Sequence, residues 1–191
     1  TAKLKRGITK VKDPGSALTH FIAMILAIIA AIPLLSKAGH DSGHMRISAL
    51  AIFILSMIGL YAASTIYHTL DISPKINKLL RKIDHMMIFI LIAGTYTPVC
   101  MIVLGDKTGW TMLTLVWGIA IVGILINALW ITCPKWFSSL IYIAMGWVCI
   151  LAITKILSSM PRAGFMWLLA GGIIYTAGGI IYAMKLPFFN S

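Results

Sequence analysis

Nine polar residues interrupt stretches of chain that are otherwise apolar: His20, Ser64, His68, Asp84, His85, Thr95, Tyr96, Thr97 and Asn127. An ionisable group among hydrocarbon tails costs roughly 2.5–3.5 kcal/mol on insertion scales, so such residues face a protein interior and mark a working site. Neutral imidazole and carboxylate are ligands of Zn²⁺, which keeps an open position when it is catalytic. The same groups can pass protons. Ser64 and His68 are four residues apart and so share one helix face. Plainer readings exist for several of the nine. His20 and His85 can snorkel to headgroups from a helix end. Asp84 has Arg81 and Lys82 beside it as ion-pair partners, and a first-turn carboxylate also meets the helix dipole favourably. His68 fits a plain reading worst, because it closes a wholly apolar helix with Ser64 on its own face. His40 and His44 form an H-x-x-x-H, but Gly39 and Gly43 make that stretch a poor helix, and a solvated loop is its default reading.

The elements that position these residues follow from composition. The 191 residues are 60% hydrophobic and only 11% charged, with a mean hydropathy of +0.95. A soluble domain would run at roughly half apolar and a quarter charged, so the chain reads as an integral membrane protein without a second, soluble domain. A helix crosses the hydrocarbon core with about 20 residues. The apolar blocks place spans near 16–36, 47–69, 82–104, 110–131, 137–157 and 164–184, one all-α transmembrane domain over 1–191. The first block is too long for a signal peptide and lacks a small-residue cleavage site. Pro14-Gly15-Ser16 reads as a stop and N-cap, Asp71-Ile-Ser-Pro74 as another, and Gly105-Asp106-Lys107 as a tight turn. Trp110, Trp130, Trp136 and Trp167 fall near span ends as interfacial anchors, whereas Trp117 and Trp147 lie deeper. Cys100, Cys133 and Cys149 are an odd set beside apolar segments and supply no disulfide framework.

The net charge is +11, which on a soluble chain would suggest nucleic acid. Here its distribution argues against that and for a topology. With the N-terminus inside, the inner flanks hold Lys3, Lys5, Arg6, Lys10, Lys12, Lys75, Lys78, Arg81, Lys82, Lys135 and Lys185, and the outer flanks only Lys37, Arg46, Lys107, Lys155 and Arg162. The positive-inside bias then puts the N-terminus in the cytoplasm, and the basic stretches against anionic lipid headgroups. On that topology His20, His68 and Asp84 share one depth in the inner leaflet.

Several motifs together resemble the hemolysin III proteins of bacteria, within the wider progestin and adipoQ receptor family. They are Thr19-His20, Ser64-Thr-Ile-Tyr-His68, Lys82-Ile-Asp-His85 followed by Ile92-Ala-Gly-Thr-Tyr-Thr-Pro98, Tyr142-Ile-Ala-Met-Gly-Trp147 and Gly171-Gly-Ile-Ile-Tyr175. The resemblance runs over essentially the whole chain. It implies a seven-helix bundle in the plasma membrane, N-terminus cytoplasmic, with a zinc ion near the cytoplasmic leaflet. By that resemblance His68 is a zinc ligand, Ser64 the serine one turn before it, and Asp84 the aspartate that holds the water on the metal. His20 and His85 are additional candidates. The family's remaining two ligands form an H-x-x-x-H on a seventh helix, which is absent from this sequence; it stops at Leu186-Pro-Phe-Phe-Asn-Ser191. The expectation is either a longer natural protein or a missing zinc site. The family's asparagine four residues before the helix-one histidine is Ser16 here, and the chain contains no glutamate.

Three functions are compatible with these residues. A zinc-dependent hydrolase would act on a membrane lipid amide or related bond, with Asp84 and Ser64 as its catalytic groups, as relatives that resemble ceramidases suggest. The family's name implies a cytolytic protein, yet six apolar spans offer no soluble state for a secreted pore former. A non-enzymatic regulator of membrane homeostasis would relay protons through His20, His68 and Asp84, but beyond Thr97 the relay has only Asn127, Tyr and Thr residues to continue it.

Overall fold

The computed structural model describes residues 11–41, 43–130 and 135–184. Lys3, Lys5, Arg6, Lys10, Cys133, Lys185 and the Leu186–Ser191 stretch lie outside the described residues. The described chain is helical, with no strand. Its helices are α1 (Pro14–Asp41), α2 (His44–Thr69), α3 (Pro74–Pro98), α4 (Lys107–Leu129), α5 (Lys135–Gly146), α6 (Ile153–Ser159) and α7 (Arg162–Met184). Among the described residues six stretches are long and apolar enough to cross a membrane: Pro14–Gly39, His44–Thr69, Pro74–Leu104, Lys107–Leu129, Trp136–Ser159 and Arg162–Ile181. They match the six expected from the sequence, with one sizeable shift. The third span starts at Pro74 rather than near 82, because Ser73 accepts the Ile76 N–H as an N-cap and Pro74 takes the first turn. The basic residues Lys75, Lys78 and Arg81 therefore stand exposed on the first turns of α3 instead of in a loop.

The third and fifth spans are not regular. Pro98 has no N–H to give the helix, and α3 runs on through a π-helical stretch, Val99–Leu104. It ends at Gly105, whose φ of 59° suits a residue without Cβ. Asp106 then caps α4 by accepting the Gly109 N–H at 3.0 Å. Between α5 and α6 the chain tightens into a 3₁₀ stretch, Trp147–Ala152. No water is available in a bilayer core, so backbone groups freed by such a break need protein partners. Tyr96 supplies them: its hydroxyl donates to the Gly146 carbonyl at 2.6 Å and accepts the Cys149 N–H at 2.9 Å.

Helices α1 to α4 pack in sequence order, each on the next, and α5 packs on α7. The core centres on α3, where Phe89, Ala93 and Tyr96 are buried against Val116 and Ala120 of α4 and Met145 of α5. Gly94 sets the closeness of α2 and α3, since a Cβ there would collide with the Ser56 hydroxyl. Trp110, Trp130, Trp136 and Trp167 are exposed as anchors should be. The deeper Trp117 and Trp147 donate their indole N–H groups to Thr97 and Thr176.

Candidate functional site

Of the nine polar residues, four are spent on structure. Thr95 and Thr97 donate to carbonyls one turn back, Leu91 and Ala93. Tyr96 holds the break in the fifth span. Asn127 donates to Gly123 and accepts the Ser138 hydroxyl. The other five, His20, Ser64, His68, Asp84 and His85, gather at the end of the bundle where α1 starts, α2 ends and α3 begins its buried course.

The α2–α3 register brings them together. Ser56 against Gly94 fixes it at mid-depth, and two turns along α2 Ser64 comes within reach of the Asp84 carboxylate. Asp84 is buried, with the His85 Nδ1 3.5 Å from its carboxylate. The ion-pair reading of Asp84 is corrected by the geometry. Lys82 reaches away to the Ala128 carbonyl at the end of α4, 2.7 Å from it, and Arg81 is exposed. His85 is held from its backbone, whose carbonyl accepts the Tyr142 hydroxyl at 2.9 Å.

His68 is the most closely framed residue of the group. The His20 ring stacks on it at 5.7 Å with an interplanar angle of 8°, and Tyr67 meets it edge-on at 4.8 Å. Its Nδ1 lies 3.0 Å from the Asp13 carboxylate. The His20 Nδ1 is buried without a hydrogen-bond partner among the described residues. Asp13 was not among the sequence candidates. The helix start was expected at Ser16, yet Asp13 is the residue that caps α1: its carbonyl accepts the Ala17 N–H at 3.0 Å and its carboxylate bonds Ser16. The Ser16 hydroxyl, and after it His68, hold the Asp13 carboxyl below its ordinary value against partial desolvation. The signal that could have found it is an aspartate directly before Pro14, an N-cap residue followed by proline at the first helical position.

His40 and His44 lie at the opposite end of the α1–α2 hairpin. His44 is exposed and its carbonyl accepts the Ser48 hydroxyl. A cavity of about 430 Å³ lies between α3, the 3₁₀ stretch and α7, lined by Leu91, Thr95, Tyr96, Trp147, Leu168 and Tyr175 among others. None of the five gathered residues lines it.

The donor types at the His68 end suit zinc: an imidazole with one nitrogen engaged by a carboxylate, a second carboxylate and an unpartnered imidazole nitrogen. The set stops short of a complete site, since no group of three or more His, Cys, Asp or Glu among the described residues is placed to hold a metal.

A family profile described as "Haemolysin-III related" matches residues 8–188. The chain is 40% identical over 190 residues to a protein of Bacillus cereus named "Hemolysin-3", covering 98% of this chain and 86% of that one. It is 36% identical over 181 residues to the "Hemolysin-3 homolog" of Bacillus subtilis (strain 168), covering 94% of this chain and 84% of the relative.

Proposed function

The chain is a multi-pass membrane protein of the haemolysin III family, and on that premise we propose that it is a zinc-dependent hydrolase acting on a membrane lipid amide or a related bond. The observation that carries this reading is the meeting of His68, Ser64, Asp84 and His20 from three helices at one end of the bundle, with no lysine or arginine among the described residues bonded to any of them. His68 would hold the metal through Nε2, and the resemblance puts two more ligands on a seventh span. When bound, zinc would supply a Lewis acid that lowers the pKa of a water to about 7. Asp84 is the group of this chain that takes a proton. It is buried, the His85 imidazole stands 3.5 Å from it and Ser64 beside it, and no lysine or arginine among the described residues pairs with it. His20 packs over one face of the His68 ring. The apolar cavity begins at Leu91, about 10 Å along α3 from Asp84 at 1.5 Å per residue, and offers room for an acyl chain.

The same reading puts this end of the bundle in the cytoplasm of a cell whose plasma membrane holds the protein, with Lys75, Lys78 and Arg81 on anionic headgroups. A cysteine introduced at Lys78 should escape membrane-impermeant reagents in intact cells; efficient labelling would reverse the topology.

Elemental analysis and turnover of a labelled ceramide in vesicles test the chemistry. The full-length protein should carry about one zinc per chain. Asp84→Asn should keep the metal and lose most of the turnover, of the order of 10–100-fold. Loss of the zinc itself would make Asp84 a direct ligand, and unchanged turnover would remove it from the chemistry. The names of the two Bacillus relatives favour a second reading, cytolysis. Erythrocyte lysis that persists in Asp84→Asn would separate it from hydrolysis.

A further inference from the structure

We infer that Asp13 is a positioning residue for His68, holding its imidazole as the Nδ1–H tautomer and turned so that Nε2 is the nitrogen offered to a metal. The inference rests on the zinc reading above and extends it to a residue outside the membrane spans. A carboxylate only accepts hydrogen bonds, so the 3.0 Å approach of Asp13 Oδ2 to His68 Nδ1 puts the proton on Nδ1. The Nε2 lone pair is then free, and the bond to a carboxylate makes that nitrogen a better donor.

The placement of Asp13 is over-determined. Its own N–H donates to the His68 carbonyl at 2.9 Å, and the Lys12 N–H to the Thr69 carbonyl at 3.4 Å. The Lys12 ammonium sits 3.6 Å over the Tyr67 ring. The segment before α1 is thus stitched to the end of α2, and the carboxylate is delivered to the ring from a fixed backbone. On the ring's flat side the stacked His20 limits rotation. The competing account is that Asp13 only caps α1. A cap needs the bonds to Ser16 and Ala17; it has no use for His68.

Two substitutions separate the accounts, because serine and asparagine cap helices about as well as aspartate. Asp13→Ser keeps the cap but is too short to reach the ring. Asp13→Asn keeps the cap and a neutral acceptor. Two readouts apply to the full-length protein: the ¹⁵N spectrum of the His68 ring without metal, assigned against His68→Gln, and zinc affinity by chelator competition. Asp13→Ser should move the ring toward the Nε2–H tautomer and weaken zinc binding by about 10–100-fold. Asp13→Asn should keep the Nδ1–H tautomer and weaken zinc less, and it carries the test should the serine variant fail to fold. Wild-type zinc affinity in both variants would overturn the inference and leave the hydrolase reading standing. Absence of zinc from the wild type would overturn the hydrolase reading, and an unmoved ring spectrum in Asp13→Ser would overturn the tautomer assignment independently.

Discussion

The two ends of the bundle treat their carboxylates differently. At one end Asp106 is met in full, by the Lys155 ammonium at 2.7 Å and the Gly109 N–H at 3.0 Å, while Lys155 also donates to Thr108. The result is a joint that pins the start of α4 to the fifth span. At the other end Asp13 and Asp84 meet imidazoles and hydroxyls and, among the described residues, no lysine or arginine. Carboxylates gathered against imidazoles and hydroxyls, beside a buried imidazole nitrogen without a hydrogen-bond partner among the described residues, are costly for a fold to keep without use. A cation bound among these groups would relieve that cost, which is why the polar cluster reads as a site and the ion pair as a brace.

The largest expected effect breaks this comparison most directly. His68→Ala should reduce zinc affinity by more than about 100-fold, beyond the range seen when only a supporting residue is lost. Asp106→Asn should leave it unchanged. Chelator competition on purified protein measures both. Equal losses would mean that the metal senses general stability and that the two ends do not differ in kind.

A smaller effect tests whether the α2–α3 register serves the site. Gly94→Ala puts a methyl group into the Ser56 hydroxyl, and overpacking of this kind costs about 1–3 kcal/mol. Thermal unfolding in detergent should show the loss, and Ser56→Gly in the same chain should restore most of it. Zinc affinity should follow the same pattern, since the register that seats Gly94 also joins Ser64 to Asp84. Gly118→Ala, with nothing within 4 Å of the new methyl, should change neither. Zinc binding indifferent to Gly94→Ala would uncouple the register from the site.

What the sequence made legible was whatever depends on runs and local chemistry. Hydrocarbon thickness dictates span length, so six spans could be counted, and Asp106 could be read as the residue of a tight turn. Local chemistry also misled. The basic residues after Pro74 read as a loop, although the Ser73 cap and the first proline start a helix through them. Thr95, Thr97 and Asn127 looked like intramembrane outliers, yet a carbonyl one turn back satisfies each. The break in the fifth span lies in an apolar run that any periodicity reads as helix, because the group that satisfies its freed backbone, Tyr96, lies on a different helix. Asp13 was missed for a related reason. It sits before the first apolar block, and its partner His68 is distant in sequence, so only folding places the two in contact. Ser64, His68 and Asp84 were singled out by type and spacing, and the fold brings Ser64 and Asp84 together across helices.

The smallest effect concerns pH and the brace. The Lys155 ammonium first, then the Gly109 N–H, hold the Asp106 carboxyl below its ordinary 3.8. A carboxyl whose value is lowered by folding stabilises the fold above its unfolded value and stops doing so as the pH falls through the folded one. The pair is exposed, so solvent screening keeps its contribution slight. Unfolding temperatures of the wild type and Lys155→Met in detergent should therefore differ by a small, constant amount from about pH 7 to about pH 5. The difference should shrink as the pH drops below the ordinary carboxylate value. High salt should shrink it too, since exposed charges are screened. A gap that persists undiminished in acid would show that Lys155 braces the bundle through the packing of its stem and its bond to Thr108. The contrast with the His68 end would then rest on the site alone.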